Sequence, residues 1–154
     1  MGFHCGSPSR ETDLRRFMPK QIKDRPQCAL ILENANGEIL LQLRDNNLDI
    51  LCPNVWGTFG GQIEDRETPE EATAREIGEE IGYDLKNSEY VGNFPYEGYD
   101  TFVFRKVDPA VRIEDLRVRE GQKGEFFSRE KIETIHEWAF NCGEIVEAYF
   151  RKYQ

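Results

Sequence analysis

The sequence has few of the residues that build the commonest metal and redox sites. It contains 4 cysteines and 2 histidines among 154 residues. The cysteines are far apart, with no CxxC pair and no histidine cluster beside them, so the sequence predicts neither a zinc site nor a disulfide framework. This usage favours a reduced, cytoplasmic setting. The four are Cys5, Cys28, Cys52 and Cys142.

Long apolar runs are missing as well. The first 24 residues are polar, are broken by Pro8 and Pro19, and lack the apolar stretch of a signal peptide. No other run approaches the ~20 apolar residues that a membrane-spanning helix needs. We therefore expect no membrane association, and we interpret residues 1–24 as an N-terminal extension of a single domain over residues 25–154.

Basic residues are outnumbered by acidic ones. The chain has 20 Lys and Arg against 29 Asp and Glu, a formal net charge of −9. Such a chain repels nucleic-acid backbones and anionic membranes, so we expect no nucleic-acid partner. Metal cations, and substrates that carry them, are attracted by the same charge.

Alternating patterns predict an α/β fold with a mixed sheet. Two apolar runs, CALILE and EILLQLR, flank NANG, whose Asn36-Gly37 dipeptide predicts a hairpin. Residues 46–61 read as a loop, and three further strands are predicted in SEYVGNF, YDTFVFRKV and GEFFS. The last helix, NCGEIVEAYFRKY, is predicted to have Asn141 as its N-cap and Glu144 in a capping box.

A second helix is predicted in an acidic stretch, which carries eight carboxylates between Glu64 and Glu80. Thr68 is a suitable N-cap, followed by Pro69 in the first turn and by Glu71 in capping-box position. Gly82 predicts the C-terminus, because glycine readily adopts the left-handed conformation that ends helices. We expect the helix to pack on the sheet through an apolar face, with Gly78 allowing a close approach; that face is Ala74, Ile77 and Ile81.

The opposite face of this helix collects like charges. At 100° per residue, Glu76, Glu79 and Glu80 lie together. Repulsion between neighbouring carboxylates costs a few tenths of a kcal/mol per pair, and an ordinary solvated helix avoids it by interleaving basic residues. Arg75 is the one basic residue between Arg66 and Lys86. Three carboxylates on one face instead favour a hard divalent cation.

The spacing of these residues resembles the signature of a known family. Gly61, five residues, Glu67, seven residues and REIGEEIGY, which starts at Arg75, follow the Nudix box Gx5Ex7REUxEExGU. Tyr83 stands where the family usually has an aliphatic residue. WGTFGG is similar to the family's approach loop, with Phe59 where proline is commoner, and REGQKGEFFS is similar to a downstream segment of MutT-type members.

The resemblance implies a Nudix-type α/β/α sandwich that holds a divalent metal, magnesium with manganese as the alternative. The implied metal ligands are Glu76, Glu79, Glu80, Glu120 and the backbone carbonyl of Gly60. Arg75 would orient a glutamate, and the general base would be Glu76 or Glu120. Gly61, Glu67 and Gly82 would be structural.

The implied reaction is hydrolysis of a nucleoside diphosphate linked to another moiety, by water attack on phosphorus. A nucleoside triphosphate is the favoured substrate, followed by a nucleotide sugar, ADP-ribose or a dinucleoside polyphosphate. Arg44 and Tyr99 are the candidate substrate contacts, and a homodimer is compatible with the sequence. The alternative is a Nudix-fold nucleotide-binding or sensor module without turnover.

Overall fold

The computed structural model describes the backbone of Phe3–His4 and residues 25–154. The rest of the predicted extension, and so any role for it, lies outside the described residues. None of the described helices is both long enough and apolar enough to cross a bilayer. The strands are β1 (Phe3–His4), β2 (Gln27–Glu33), β3 (Ile39–Leu43), β4 (Trp56–Gly57), β5 (Phe59–Gln62), β6 (Glu89–Asn93), β7 (Thr101–Val107), β8 (Lys123–Phe127) and β9 (Glu137–Trp138). The helices are α1 (Pro69–Ile81), a 3-10 turn (Ile113–Asp115), α2 (Arg129–Ile132) and α3 (Cys142–Tyr153).

β2 lies inside a mixed sheet, which confirms the predicted α/β fold. β2 pairs parallel with β7 along its whole length and antiparallel with β5. β3 pairs antiparallel with β8 and β4. The predicted hairpin joins β2 and β3, but its strands pair through a single register position, Glu33 opposite Ile39, before they diverge. Gly37 takes the positive φ of the turn, +73°.

Helices cover both faces of the sheet, because both faces of β2 are apolar. Ala29 and Ile31 point into a core cluster that includes residues of α3. Leu30 and Leu32 point to the opposite side, into a cluster with Ile77 and Ile81 of α1. Because β2 is buried on both faces, helices pack on both sides of the sheet and form the predicted α/β/α sandwich.

The stretch 46–61, predicted as loop, is only partly so. β4 and β5 lie at its end, and β5 forms the antiparallel neighbour of β2. The prediction failed because FGGQ has two glycines and no β-branched residue, so the tertiary pairing outweighs a weak local preference. β9, α2 and the 3-10 turn were also missed, since each has only two to four residues.

Helix α1 begins and ends as predicted. Thr68 and Glu71 form the reciprocal capping box, and Gly82 adopts the left-handed conformation with φ of +66°. For α3 the capping-box prediction is wrong: Asn141 occupies the N-cap position without a side-chain cap hydrogen bond. Its amide instead donates to the carbonyl of Phe94 at 3.2 Å, which ties the helix start to the sheet edge.

Gly78 does not serve close packing, contrary to the prediction. A Cβ at this position would meet no atom within 4 Å beyond the helix's own backbone. We expect Gly78→Ala to stabilise the protein by about 0.5–1 kcal/mol, because alanine loses less backbone entropy in a helix interior. Urea unfolding followed by circular dichroism measures the change, and a loss of stability would contradict the open environment.

One cysteine also departs from the prediction. Cys52 is disulfide-bonded. Cys28 and Cys142 are buried and free. The spacing of isolated cysteines carries no information about which loops meet in space, so this bond could not be predicted from it.

Candidate functional site

Arg75 ties the acidic loop to helix α1. Its Nε and Nη2 donate to the two carboxylate oxygens of Glu67 at 2.6 and 3.0 Å, and Nη2 also donates to the carbonyl of Gln62 at 3.0 Å. Nη1 donates to Glu76 at 2.9 Å. Hydrogen bonds from Arg75 lower the pKa of Glu67 to about 2. Because the guanidinium is held by Glu67 and Gln62 of the loop, it fixes the orientation of the Glu76 carboxylate.

The planar fork of Arg75 leads to a prediction. Arg75→Lys keeps the charge but cannot bind Glu67 through two parallel bonds while also holding Glu76. We expect a loss of about 10–100-fold in affinity for a divalent cation, or in any rate that depends on one, the usual effect of removing a group that orients a ligand. Arg151→Lys, at an exposed pair with Glu147, is the matched control and should change neither quantity. Equal behaviour of the two variants in metal titration and rate assays would contradict the orienting role.

Glu80 is the buried carboxylate of the site, 5% exposed. It accepts a hydrogen bond from the backbone N–H of Gly60 at 3.1 Å. Burial, followed by the charge and hydrogen bond of Glu120 and the charge of Glu76, raises the pKa of Glu80 to about 9. Without a cation, this group is therefore held in its protonated form at neutral pH.

Two glycines of β5 let the chain approach these carboxylates. A Cβ at Gly61 would lie 2.4 Å from Cδ of Glu76, so any side chain there would occupy the space of the carboxylate. A Cβ at Gly60 would lie 2.0 Å from the carbonyl oxygen of Cys28 in β2. A side chain at Gly61 would therefore displace a carboxylate of the site, whereas a side chain at Gly60 would collide with the backbone of the sheet.

A loop between the 3-10 turn and β8 brings Glu120 to the helix. The N–H groups of Arg117 and Arg119 donate to the carbonyls of Ile81 and Glu80 at 2.9 and 2.7 Å, using acceptors that the C-terminus of a helix leaves open. The side chain of Gln42 donates to the carbonyl of Glu120 at 2.9 Å. Glu120 is thereby held within hydrogen-bonding reach of Glu80, although 40 residues separate them in sequence.

Glu76, Glu80 and Glu120 are thus brought together, whereas Glu79 is turned toward solvent. The Glu79 side chain is 62% exposed, and it lies 3.5 Å from Nη1 of Arg75. Within residues 25–154, no three Asp, Glu, His or Cys side chains already stand in a metal-ligating arrangement. Burial with repulsion from Glu79 and Glu120, opposed by Arg75, raises the pKa of Glu76. An all-carboxylate set whose members repel one another has the chemistry that suits a hard divalent cation.

A cleft of about 700 Å³ opens beside Glu80 and Glu120. Gly60, Gly61, Glu80 and Glu120 line one end of it. The carboxylate of Glu76 lies behind Gly61 instead, and Glu76 does not line the cleft. The cleft is large enough for a nucleotide-sized ligand.

Both candidate substrate contacts also line this cleft. Arg44 uses Nε and Nη2 to hold the loop before β4, donating to the carbonyls of Leu51 and Cys52 at 2.9 to 3.2 Å. Tyr99 lies at the end of a tight turn between β6 and β7, opposite Tyr96. Trp56, Phe102 and Phe104 do not line it.

Sequence reasoning missed several residues of the cleft. Gln42 is buried and positions Glu120, and Phe140 has a positive φ of +50°. Neither belongs to a motif, because both act through contacts between distant segments. The glycine that follows Glu120, Gly121, was the one local sign that this loop has a special conformation. Its φ is +85°, and a Cβ there would lie 2.7 Å from the carbonyl oxygen of Leu43, so the position requires glycine.

Comparison with known proteins gives consistent matches. Residues 23–151 match the family model described as NUDIX domain. An RNA pyrophosphohydrolase of Pseudomonas paraeruginosa is 43% identical over 58 residues, covering 38% of this chain and 33% of that protein. The NAD-capped RNA hydrolase NudC of Pseudomonas aeruginosa is 29% identical over 106 residues, covering 60% and 35%. The chain therefore spans about a third of the length of these curated relatives.

Solved structures agree on the fold. The NUDIX domain of NrtR from Shewanella oneidensis, solved in complex with ADP ribose, superposes with a TM-score of 0.71 at 14% identity. The match covers 94% of this chain and 98% of that one. At this identity the likeness concerns the fold alone.

Proposed function

The chain belongs to the NUDIX domain family, and from this premise we propose that it is a metal-dependent pyrophosphohydrolase. The substrate is a nucleoside diphosphate linked to another moiety, and water attacks phosphorus. The observation that carries the proposal is the buried carboxylate of Glu80, which lines one end of a nucleotide-sized cleft together with Glu120 and has Glu76 close by. The curated relatives, named for RNA pyrophosphohydrolase and NAD-capped RNA hydrolase activities, support the reaction class.

Glu76, Glu80 and Glu120 would hold the metal, with Glu79 and the carbonyl of Gly60 as further ligands. Magnesium is the expected ion and manganese the alternative, since both accept oxygen ligands. A bound divalent cation neutralises the charge of a diphosphate and orients in-line attack. Arg75 holds Glu76, and the N–H of Gly60 holds Glu80. The protein's own residues thus bring these carboxylates together and orient them.

The general base is one of two glutamates, and the geometry favours Glu120. Glu120 lines the cleft, where an attacking water would lie. Glu76 lies behind Gly61, in a hydrogen bond with Arg75. Glu120 would accept the proton of the water as the water oxygen bonds to phosphorus. The bond from phosphorus to the bridging diphosphate oxygen breaks in the same step, and that oxygen leaves with the bonding electrons on the departing phosphate.

Replacing each of these two glutamates by glutamine separates their roles. We expect Glu120→Gln to lower kcat by about 10²–10⁴-fold, the usual contribution of a general base, with a smaller loss of metal affinity than Glu76→Gln causes. Glu76→Gln should weaken metal binding as well. Calorimetric metal titration and steady-state kinetics measure both quantities, and equal losses of metal affinity in the two variants would contradict the assignment.

A substrate panel tests the proposed function as a whole. The purified chain is incubated with Mg²⁺ and nucleoside triphosphates, nucleotide sugars, ADP-ribose, NAD, dinucleoside polyphosphates and a 5′-triphosphorylated RNA, and products are separated by chromatography. Turnover that requires metal and is lost in Glu80→Gln supports the proposal. Tight binding of one compound with turnover of none would instead indicate a binding or sensor module.

A further inference from the structure

Two loops meet at the end of β3, beside the cleft. The first, residues 45–54, connects β3 to β4. The second, residues 120–122, begins with Glu120 and leads into β8. Side chains of the first loop line the cleft, and they are Leu48, Asp49, Ile50 and Leu51. The carboxylate of the second loop and the wall of the cleft therefore lie on either side of one strand end.

The side chain of Gln122 joins these two loops. Its Nε2 donates to the carbonyl of Arg44 at 2.8 Å and to Oδ1 of Asn54 at 2.8 Å. A primary amide carries two N–H donors, and the two acceptors use both of them. Arg44 directly follows β3, and Asn54 lies shortly before β4. One amide group therefore holds both ends of the first loop against the second.

The backbone of the second loop is fixed to β3 at each of its residues. Gln42 donates to the carbonyl of Glu120 at 2.9 Å, and the N–H of Gln122 donates to the carbonyl of Leu43 at 2.8 Å. Gly121 lies against the same strand, close enough that only glycine fits. The ladder between β3 and β8 ends at Leu43, so the side chain of Gln122 continues the attachment beyond the point where the ladder stops.

Gln122 is exposed and does not line the cleft. Hydrogen bonds at exposed positions add little to folding stability, because water competes for the same donors and acceptors. What the two bonds do restrict is the path of the backbone around Glu120, which lies two residues earlier in the same loop. Glu120 has a flexible side chain, so the place of its carboxylate depends on where the backbone is held.

We propose that Gln122 is a positioning residue for Glu120. By tying the loop that carries this carboxylate to the loop that lines the cleft, Gln122 fixes the carboxylate relative to a ligand in the cleft. The inference rests on the proposed function, in which Glu120 accepts a proton from the attacking water. It adds to that function a residue that contacts neither the metal nor the substrate and acts through the backbone.

Gln122→Met tests this role, because it removes both donors while keeping the length of the side chain and adding no charge near Glu120. We expect kcat to fall about tenfold, the lower end of the loss caused by removing an orienting group, with KM unchanged within about twofold. The melting temperature should stay within a few degrees of wild type. Gln154→Met is the matched control: its exposed Nε2 donates to the carbonyl of Gly37 at 2.9 Å, outside the cleft, and its loss should change neither kcat nor KM.

A double-mutant cycle shows whether the effect passes through Glu120. In the Glu120→Gln background, Gln122→Met should lower the single-turnover rate by less than about twofold, because the group that it positions is already absent. A full tenfold loss in that background would overturn the inference. So would a single variant whose kcat equals that of wild type, or whose KM rises while kcat is unchanged.

Hydrogen exchange tests the bridge between the loops without metal or turnover. The N–H groups of Arg44 and Asn54 donate to backbone carbonyls within the first loop, each at 3.0 Å, and so report its local opening. In EDTA these amides should exchange faster in Gln122→Met by about threefold or more, and at the wild-type rate in Gln154→Met. Unchanged exchange in Gln122→Met would overturn the inference. Absence of turnover by wild type would overturn the proposed function itself, whereas turnover together with any of the contrary results above would overturn only the role of Gln122.

Discussion

Glu80→Gln is expected to stabilise the metal-free protein at pH 8 while slowing hydrolysis about 10²-fold or more. Burial, reinforced by Glu120 and Glu76, raises the pKa of Glu80 to about 9 in the folded chain, against about 4.3 in the unfolded chain. Between these values the unfolded chain has lost the proton and the folded chain keeps it. Stability of the wild type therefore falls as pH rises through this window, and glutamine removes that loss.

The stability gained by Glu80→Gln over wild type should be absent near pH 4, should grow with pH and should level off above about pH 9. A melting series from pH 4 to 9.5 measures it, with about 2–4 °C expected for each kcal/mol in a chain of this size. Mg²⁺ should raise the melting temperature of wild type by mass action and leave Glu80→Gln unchanged. The rate should fall about 10²-fold or more, because a metal ligand supplies several kcal/mol to the transition state.

Glu70→Gln is the control for this experiment. Glu70 lies in the first turn of the same helix and is exposed, so its replacement should show no gain that grows with pH. It should also keep metal binding and turnover. A Glu80 variant that behaves like Glu70→Gln at every pH would show that Glu80 is an ordinary solvated carboxylate.

Gly61→Ala is expected to separate activity from stability. Its Cβ would lie 2.4 Å from Cδ of Glu76, and the carboxylate, at the end of a flexible side chain, can swing away at little cost in folding free energy. Glu76 would then leave the position set by Arg75. We expect a rate loss of about 10²-fold, as for other displacements of about 1 Å in active sites, with a melting temperature within a few degrees of wild type.

Two other glycines provide matched controls for Gly61→Ala. Gly78→Ala adds the same methyl group in open space on helix α1 and should keep full activity. Gly60→Ala would place its methyl 2.0 Å from the backbone of β2, so it should lower the melting temperature strongly. Full activity in Gly61→Ala would show that Glu76 need not occupy this position for catalysis.

The local signals in the sequence predicted the elements that are long and regular. The capping box at Thr68, the glycine stop at Gly82 and the apolar alternation of β2 depend on contacts within a few residues, so they can be read without the fold. The same is true of the carboxylates of α1, whose spacing on a helix follows from 100° per residue. Short elements such as β5 and β9 escaped because their pairing partners lie far away in sequence.

The sequence alone specifies the chemistry of one helix, namely a row of glutamates with an arginine to orient them, and the family to which this pattern belongs. Tertiary packing sets which of these glutamates is buried: Glu80 is buried and Glu79 is exposed, because burial depends on β5 and on the loop that carries Glu120. It also decided that Arg44 holds a loop and that Phe140 enters the cleft. These features depend on contacts between segments that lie roughly 20 to 100 residues apart in sequence. The spacing of residues within one segment cannot specify which distant segment it will contact.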